Sequence, residues 1–543
     1  MKKTRMGFGA IAVVGTAALV LTGCSSGGDS GGSADGGSGD ATAIITTNGS
    51  EPQNPLIPSN TTETGGGKII DSIFAGLVSY DADGASQMDV ADSIESEDNQ
   101  NWTVTLKEGK TFTDGTPVTA ESFTKAWNWA AQLSNAQSGS YFFDDIEGFS
   151  YDADSELAVT PTSDTEFTVK LSTPEADWPL RLGYSSFSPL PESFYDDTEA
   201  FGENPVGNGP YKLDGEGAWT HNQDIKLVTN EDYDGPRKPV NGGLNIKFYT
   251  TQDAAYADVQ GGNLDILDQV PDTAFSSYTS DFPDTNANQP AAIFQSITIP
   301  QYLEHFDGTT EEGKLRRQAI SLAINREDIT KVIFQDTRTP AKDFTSPVID
   351  GYSEDLEGSD VLDYDADRAK ELWAEADAIS PYGDDTFTIA YNADGGHQNW
   401  VDAATNSIAD TLGIQAEGQS YATFAELLDD EDNDAMTGAF RSGWQADYPS
   451  LFNFLAPLYQ TGAGSNYGRY TSDEFDGLLK EGAAETSVED ANAKFQQAQE
   501  VLLEDLPVVP LWYSNVTGVW ADTVSNVQFG WNSVPLFYEV TKG

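Results

Sequence analysis

One cysteine, Cys24, stands in a chain of 543 residues. No intramolecular disulfide can form, and a zinc site built from several thiolates is excluded. The fold must be held by buried apolar surface. With 38% hydrophobic residues and 11% aromatics, the chain can build sizeable cores in water. At roughly 150 residues per domain, this length predicts two or three lobes. Asp and Glu number 88 against 28 Lys and Arg, a formal charge of -60. Such a surface repels phosphate backbones, and no basic stripe offsets it, so no nucleic-acid partner is expected. The charge reads first as solubility.

The cysteine sits at the end of an export-like leader. Lys2, Lys3 and Arg5 precede an apolar run from Gly7 to Leu21, which suits a signal-peptide core and is short for a transmembrane span. The run closes on Leu21-Thr22-Gly23-Cys24, which resembles the bacterial lipobox. The resemblance implies cleavage after residue 23, lipidation of Cys24 and anchoring at the extracellular face of the cytoplasmic membrane. Ser25 to Asp40 reads SSGGDSGGSADGGSGD, a tract with nothing to bury, spanning roughly 22 Å on average as a flexible tether.

From Ala41 onward, strands and amphipathic helices alternate without a fixed period, so a mixed α/β body is expected and a solenoid is not. Strands are predicted at Trp102–Leu106, Glu166–Leu171, Ile225–Thr229, Leu244–Tyr249 and Thr386–Tyr391. Helices are predicted at Ala120–Leu133 behind Thr119, Leu315–Ile324, Arg368–Ala376, Trp400–Leu412 and Val488–Leu503 behind Ser487.

Catalytic patterns are thin. His221, His305 and His397 are far apart, and no H-E-x-x-H, Walker A or dinucleotide fingerprint is present. The G-x-S-x-G matches, Gly23 to Gly27 and Gly28 to Gly32, both fall at the lipobox-like site and in the Gly/Ser tract behind it and cannot be a strand-to-helix elbow. Asp363, Asp365 and Asp367 lack the glycine and the twelfth-position acid of a calcium loop. Asp365 is expected to cap a helix, and Asp429 to Asp434 to form a solvated acidic loop.

Several segments then fall in one order. Glu51-Pro52 and Ile73 to Val78 come first. Leu106 to Lys110 leads into Thr111 to Phe123 (TFTDGTPVTAESF), and Asn204 to Tyr211 (NPVGNGPY) follows. Gly261 to Asp265, Leu315 to Arg326 (LRRQAISLAINR), Gly443 to Pro449 (GWQADYP) and Leu506 to Leu511 complete the series. The set resembles the family 5 extracellular solute-binding proteins of ABC importers. Asn208 stands where threonine is usual, Ile94 where tryptophan is usual, and Ser450 replaces an aspartate.

The resemblance implies a three-lobed clamp of the periplasmic-binding-protein type II kind, with two lobes closing on a ligand around two crossovers and an extra lobe. Lobe I would comprise 41–66, 204–298 and 505–543, lobe II 67–203 and lobe III 299–504. A short peptide is the expected guest, handed to a permease with separate ATPase subunits by a monomer that needs no cofactor and no metal. The resemblance also assigns the cleft. Asp447 would pair with the peptide's α-amine, Gly443 and Gln445 would bond its backbone, and Arg441 would meet its carboxylate at one peptide length. Trp444 is expected among the ligand-binding residues, as a core or cleft-wall ring or as a platform for the ligand. An oligosaccharide or metal chelate is the alternative guest within the family. A secreted hydrolase is the alternative from another class.

Overall fold

The strand Asn101–Leu106 buries every second side chain, with Trp102, Val104 and Leu106 at 6% exposure or less, as a strand with one face on a core requires. It pairs antiparallel with Ala91–Ser96 and Glu166–Lys170, and Val159–Ser163 completes a four-stranded sheet. The structure is a computed structural model that describes residues 40–543. The expected signal peptide, Cys24 and the tether up to residue 39 lie outside the described residues.

All five predicted strands form, each within one residue at either end: Asn101–Leu106, Glu166–Lys170, Asp224–Thr229, Gly243–Phe248 and Thr386–Asn392. The predicted helices form too. Asp365 accepts the backbone N–H of Arg368 at 2.9 Å ahead of Ala366–Ile379, and Ser487 accepts that of Asp490 at 3.1 Å ahead of Val488–Asp505. The helix expected from Leu315 begins at Glu311, because Thr310 supplies the cap and Glu311 and Glu312 favour a helix start. The acidic run Asp429 to Asp434 is not a solvated loop. Its first four residues end the helix Phe424–Asp432, and Glu431 is 4% exposed. Thr423 caps that helix, and the run of charge concealed its periodicity.

Two larger sheets carry the rest. One runs Val519–Trp520, Ile266–Leu267, Ile44–Gly49, Gly243–Phe248, Asp224–Thr229, Tyr211–Leu213, with Trp219–Thr220 also on Asp224–Thr229. Ile44–Gly49 is parallel to both its neighbours. The other runs Arg338–Pro340, Val508–Val516, Gln289–Thr298, Ala439–Gln445, Thr386–Asn392, Gln415–Tyr421.

The seven-stranded and four-stranded sheets share one core, joined through Ile45, Val104, Trp127, Phe167 and Ile246. The six-stranded sheet lies between two others, one around Phe294, Phe454 and Phe495, the other around Ile320, Trp400 and Trp512. Chain passes into the six-stranded sheet ahead of Gln289 and returns after Val516. The two crossings lie side by side: Asn286 bridges Val519, and the Ala287 N–H donates to the Gly518 carbonyl at 2.8 Å. Gln289–Thr298 and Val508–Val516 pair with each other inside the six-stranded sheet, so by strand pairing the passages fall outside the expected lobe borders at 298/299 and 504/505.

Two arginines of the LRRQAISLAINR helix region explain its sequence. Arg317, fully buried, donates to the carbonyls of Phe306 and Leu506, and Arg326 to those of Pro510 and Leu362. Among the described residues no carboxylate comes within ion-pair distance of either, and burial pushes the Arg317 guanidinium down to about 9 against the pull of Asp307 and Asp505. They fasten the returning strand to its body.

Candidate functional site

The strand Ala439–Gln445 pairs along Phe440 to Gln445 with Thr298 to Ile293. On its other edge it meets Thr386–Asn392 only at Ala439 and Phe440. Among the described residues no strand covers that edge beyond Phe440, which leaves extended backbone of the kind an added strand can pair with. Gly443 lies on this stretch, exposed, and a side chain there would press on the Phe294 carbonyl, 3.1 Å from its first carbon.

After Gln445 the chain turns to present Asp447. Its backbone N–H donates to Asn453 Oδ1 at 2.9 Å, and Asn453 Nδ2 donates to its carboxylate at 3.3 Å. Asn453 Oδ1 also accepts the indole N–H of Trp444 at 3.2 Å. Asn453 sits at 3% exposure on the helix Leu451–Tyr459, whose cap is Ser450. Among the described residues no cation comes within ion-pair distance of Asp447. Burial raises its carboxyl to about 6, with Asn453 and the more distant Arg181 pulling the other way.

Asp447 and Gln445 line a cavity of about 430 Å³ whose opposite wall, from the shared-core body, carries Lys68, Asp71, Tyr80 and Tyr184. A second cavity of about 360 Å³ adjoins it and shares Lys68 and Gln445. The gap therefore runs between the two bodies, with the open strand edge on one side. Behind this wall the buried Asn208 holds Ala75: it accepts the Ala75 N–H and donates to the Ala75 carbonyl, both at 3.0 Å. The flanking Gly207 and Gly209 let this loop lie against Ile73, where any side-chain carbon would sit within 2.6 Å of backbone.

Beneath Asp447 the bodies are tied by a buried polar network. Arg181 pairs with Glu175 and Asp145, donates to the Tyr448 hydroxyl at 3.2 Å and lies 5.1 Å from that ring's centre. Ser450 donates to Asp177.

Of the expected site residues, Asp447 and Gln445 stand on the cavity wall, and Gly443 lies along the open edge. Trp444 turns toward the core around Phe454. Arg441 lies outside the walls of both cavities, its Nε donating to Asn392 at 2.8 Å and its guanidinium 4.5 Å from the Phe424 ring centre. Asn453 escaped sequence reasoning. Its signal was a lone amide in the apolar run LFNFLAPLY.

No group of three metal-binding side chains occurs among the described residues. His221 meets Glu51, His305 meets Glu312 and His397 accepts from Trp400, in three separate places. Nor is any helix of the described residues long and apolar enough to cross a membrane.

The chain is 24% identical over 534 residues to the oligopeptide-binding protein OppA of Bacillus subtilis, covering 94% of each. It is 27% identical over 500 residues to the periplasmic oligopeptide-binding protein OppA of Salmonella typhimurium, 87% of each. In fold it matches the unliganded open form of the murein tripeptide-binding protein MppA, with TM-score 0.77 and 21% identity over 93% of this chain and 99% of that one. This is the mixed α/β, multi-lobed periplasmic-binding-protein architecture. The family model for bacterial extracellular solute-binding proteins, family 5, matches residues 86–466. The chain belongs to that family, whose members are transport-associated binding proteins and not enzymes.

Proposed function

We propose that this protein captures short peptides in the gap between its two bodies and delivers them, as a monomer, to an ABC permease driven by separate ATPase subunits. The observation that carries the reading is Asp447: a carboxylate on the cavity wall, held by an amide and, among the described residues, without a cation at ion-pair distance. A peptide's α-ammonium supplies that cation in a charge-assisted bond, which is stronger than a neutral one. The open edge along Gly443 to Gln445 takes the peptide backbone as an added strand, which recognises what all peptides share. Arg441 takes the carboxylate of guests long enough to leave the cavity along that strand, its planar group set by Asn392 and Phe424. The crossings at Ala287 and Gly518 are the place for the bodies to swing. Cys24 carries the lipid, and the tract behind it holds the body off the membrane.

Calorimetry tests the reading. A pool of short peptides is expected to give heat, with affinity falling about 30-fold or more in Asp447→Asn, in line with roughly 2 to 5 kcal/mol for a buried charge pair. Heat from free oligosaccharides or metal chelates but none from peptides would replace the guest. Cleaved peptide in the mass spectrum would replace the class. Cys24→Ser is expected to release the protein into the medium.

A further inference from the structure

The wall opposite Asp447 carries a second carboxylate that the peptide reading leaves unused. Asp71 lies on the helix Thr64–Ile73 and lines the same cavity. Its backbone carbonyl accepts from Arg237 at 2.6 Å, but its carboxylate has no hydrogen-bond or ion-pair partner among the described residues. The other charges on this wall are committed. Lys68 pairs with Asp268 at 2.5 Å and donates to the Asn48 carbonyl at 3.0 Å. Arg237 faces Asp89 at 3.5 Å and donates to the Phe74 carbonyl at 2.9 Å. Glu63 caps its helix through the Gly66 N–H, and Asp81 accepts the N–H groups of Asp83 and Ala85. Among the described residues Asp71 and Asp447 are left without an ion-pair partner, and the cations of this wall, Lys68 and Arg237, are both engaged with other groups.

The two are neighbours of one space. Burial drives the Tyr80 and Tyr184 phenols far above their ordinary range, and both Asp71 and Asp447 add to the shift on each. The rings stand within electrostatic reach of both carboxylates. Burial raises Asp71 to about 6 as well, against the pull of Arg237. A carboxylate in so poorly solvated a place is costly unless a cation arrives.

We propose that Asp71 is a second anionic subsite of this cavity, and that the preferred guests are peptides whose amino-terminal residue carries a positive side chain, its α-ammonium at Asp447 and its side-chain cation at Asp71. The inference rests on the peptide reading. It follows from the size of the space: 430 Å³ is near the lower end of small-ligand pockets, roughly 300 to 1,000 Å³, so it holds the first part of a peptide. The backbone then leaves toward Gln445 and Gly443.

The experiment compares Lys-Ala-Ala with norleucine-Ala-Ala, which has a side chain of similar length and no charge, by calorimetry on the full chain stripped of guest. Lys-Ala-Ala is expected to bind at least tenfold more tightly, the low end for a hydrogen bond between charged groups. Asp71→Asn should erase the difference and leave the norleucine peptide within twofold, which also reports a folded protein. Asp71→Thr is the second variant should the first fail to fold. Ala-Ala-Lys should show no comparable advantage over Ala-Ala-norleucine. Equal affinities in the parent protein, a lysine advantage that survives in both Asp71 variants, or an equal advantage at the third position would overturn the subsite and leave peptide capture standing. The third result would mean general attraction to a protein of charge -60. Silence from every peptide would overturn the peptide reading and the subsite together.

Discussion

Asn453 holds Asp447 at two points, accepting its backbone N–H at 2.9 Å and donating to its carboxylate at 3.3 Å. The same oxygen takes the Trp444 indole N–H at 3.2 Å, so one buried amide fixes both the direction of the acid and the strand end that precedes it. Asn453→Leu removes all three bonds and leaves two donors unpaired. We expect peptide affinity to fall about tenfold with Asp447 intact, and stability to fall by about 1 to 3 kcal/mol. Calorimetry and denaturant titration measure the two. Affinity within twofold of the parent would show that Asp447 needs no orienting.

Asp447 also sets a pH dependence. Its carboxyl, ordinarily near 3.8, is raised to about 6 by burial, among Asn453, Arg181 and the phenols of Tyr80, Tyr141 and Tyr184. A bound ammonium needs the ionised form. Below about 6 the empty protein holds a proton that binding must expel, so affinity is complete above about pH 7 and is lost as pH falls through 6. For norleucine-Ala-Ala we expect about tenfold weaker binding at pH 5 than at pH 7, and a flat profile in Asp447→Asn.

The same shift works against the empty fold. A raised carboxyl costs stability while ionised, and that cost is complete above pH 6 and disappears as pH falls toward 3.8. Asp447→Asn should therefore melt higher than the parent at pH 7, by about 1 to 2 kcal/mol, while binding less. The two should converge near pH 4. Such opposition of stability and binding marks a group kept for its ligand.

Much of this was legible in the sequence. Asn101–Leu106 and Thr386–Asn392 announce themselves by a two-residue period, and Ser487 and Asp365 by capping chemistry that is local by nature. Asp447 and Gln445 came into view only through the resemblance of the segment Gly443 to Pro449 to the family's, since nothing local to either residue marks a cavity wall. Asn453 and Asp71 did not, since their meaning depends on which other groups the fold brings near. Asp71 looks like any polar residue of an amphipathic helix until Lys68 and Arg237 prove to be engaged elsewhere. The pairing of Gln289–Thr298 with Val508–Val516 joins residues over 200 apart in the chain, and no local pattern encodes that.

Asn208 offers a test of the support behind the cavity wall. It spans the Ala75 peptide with one acceptor and one donor, both at 3.0 Å, whereas threonine, usual at this position in the family, presents a single hydroxyl. Asn208→Thr should cost about 1 kcal/mol, and Asn208→Ala about 2 kcal/mol or more, because each unmade bond leaves a buried partner. Denaturation midpoints order the three proteins. A threonine variant as stable as the parent would mean that the loop shifts to suit it.

Ser450 tests the tie between the bodies. Its hydroxyl oxygen accepts the Phe452 N–H at 3.0 Å and its proton goes to Asp177, whose carboxyl burial raises and Arg181 lowers. Ser450→Ala deletes a helix cap and a bond to a buried acid, and should cost about 1 to 3 kcal/mol. Ser450→Asp restores the residue usual in the family yet sets a second carboxylate against Asp177. Like charges there cannot both ionise cheaply, so this variant should lose more stability at pH 7 than at pH 5, and Asp177→Asn should recover the difference. A double-mutant cycle separates that repulsion from the loss of the cap, since only the repulsion depends on Asp177. Zero coupling between positions 177 and 450 would mean that the Ser450–Asp177 contact adds nothing to the tie between the bodies.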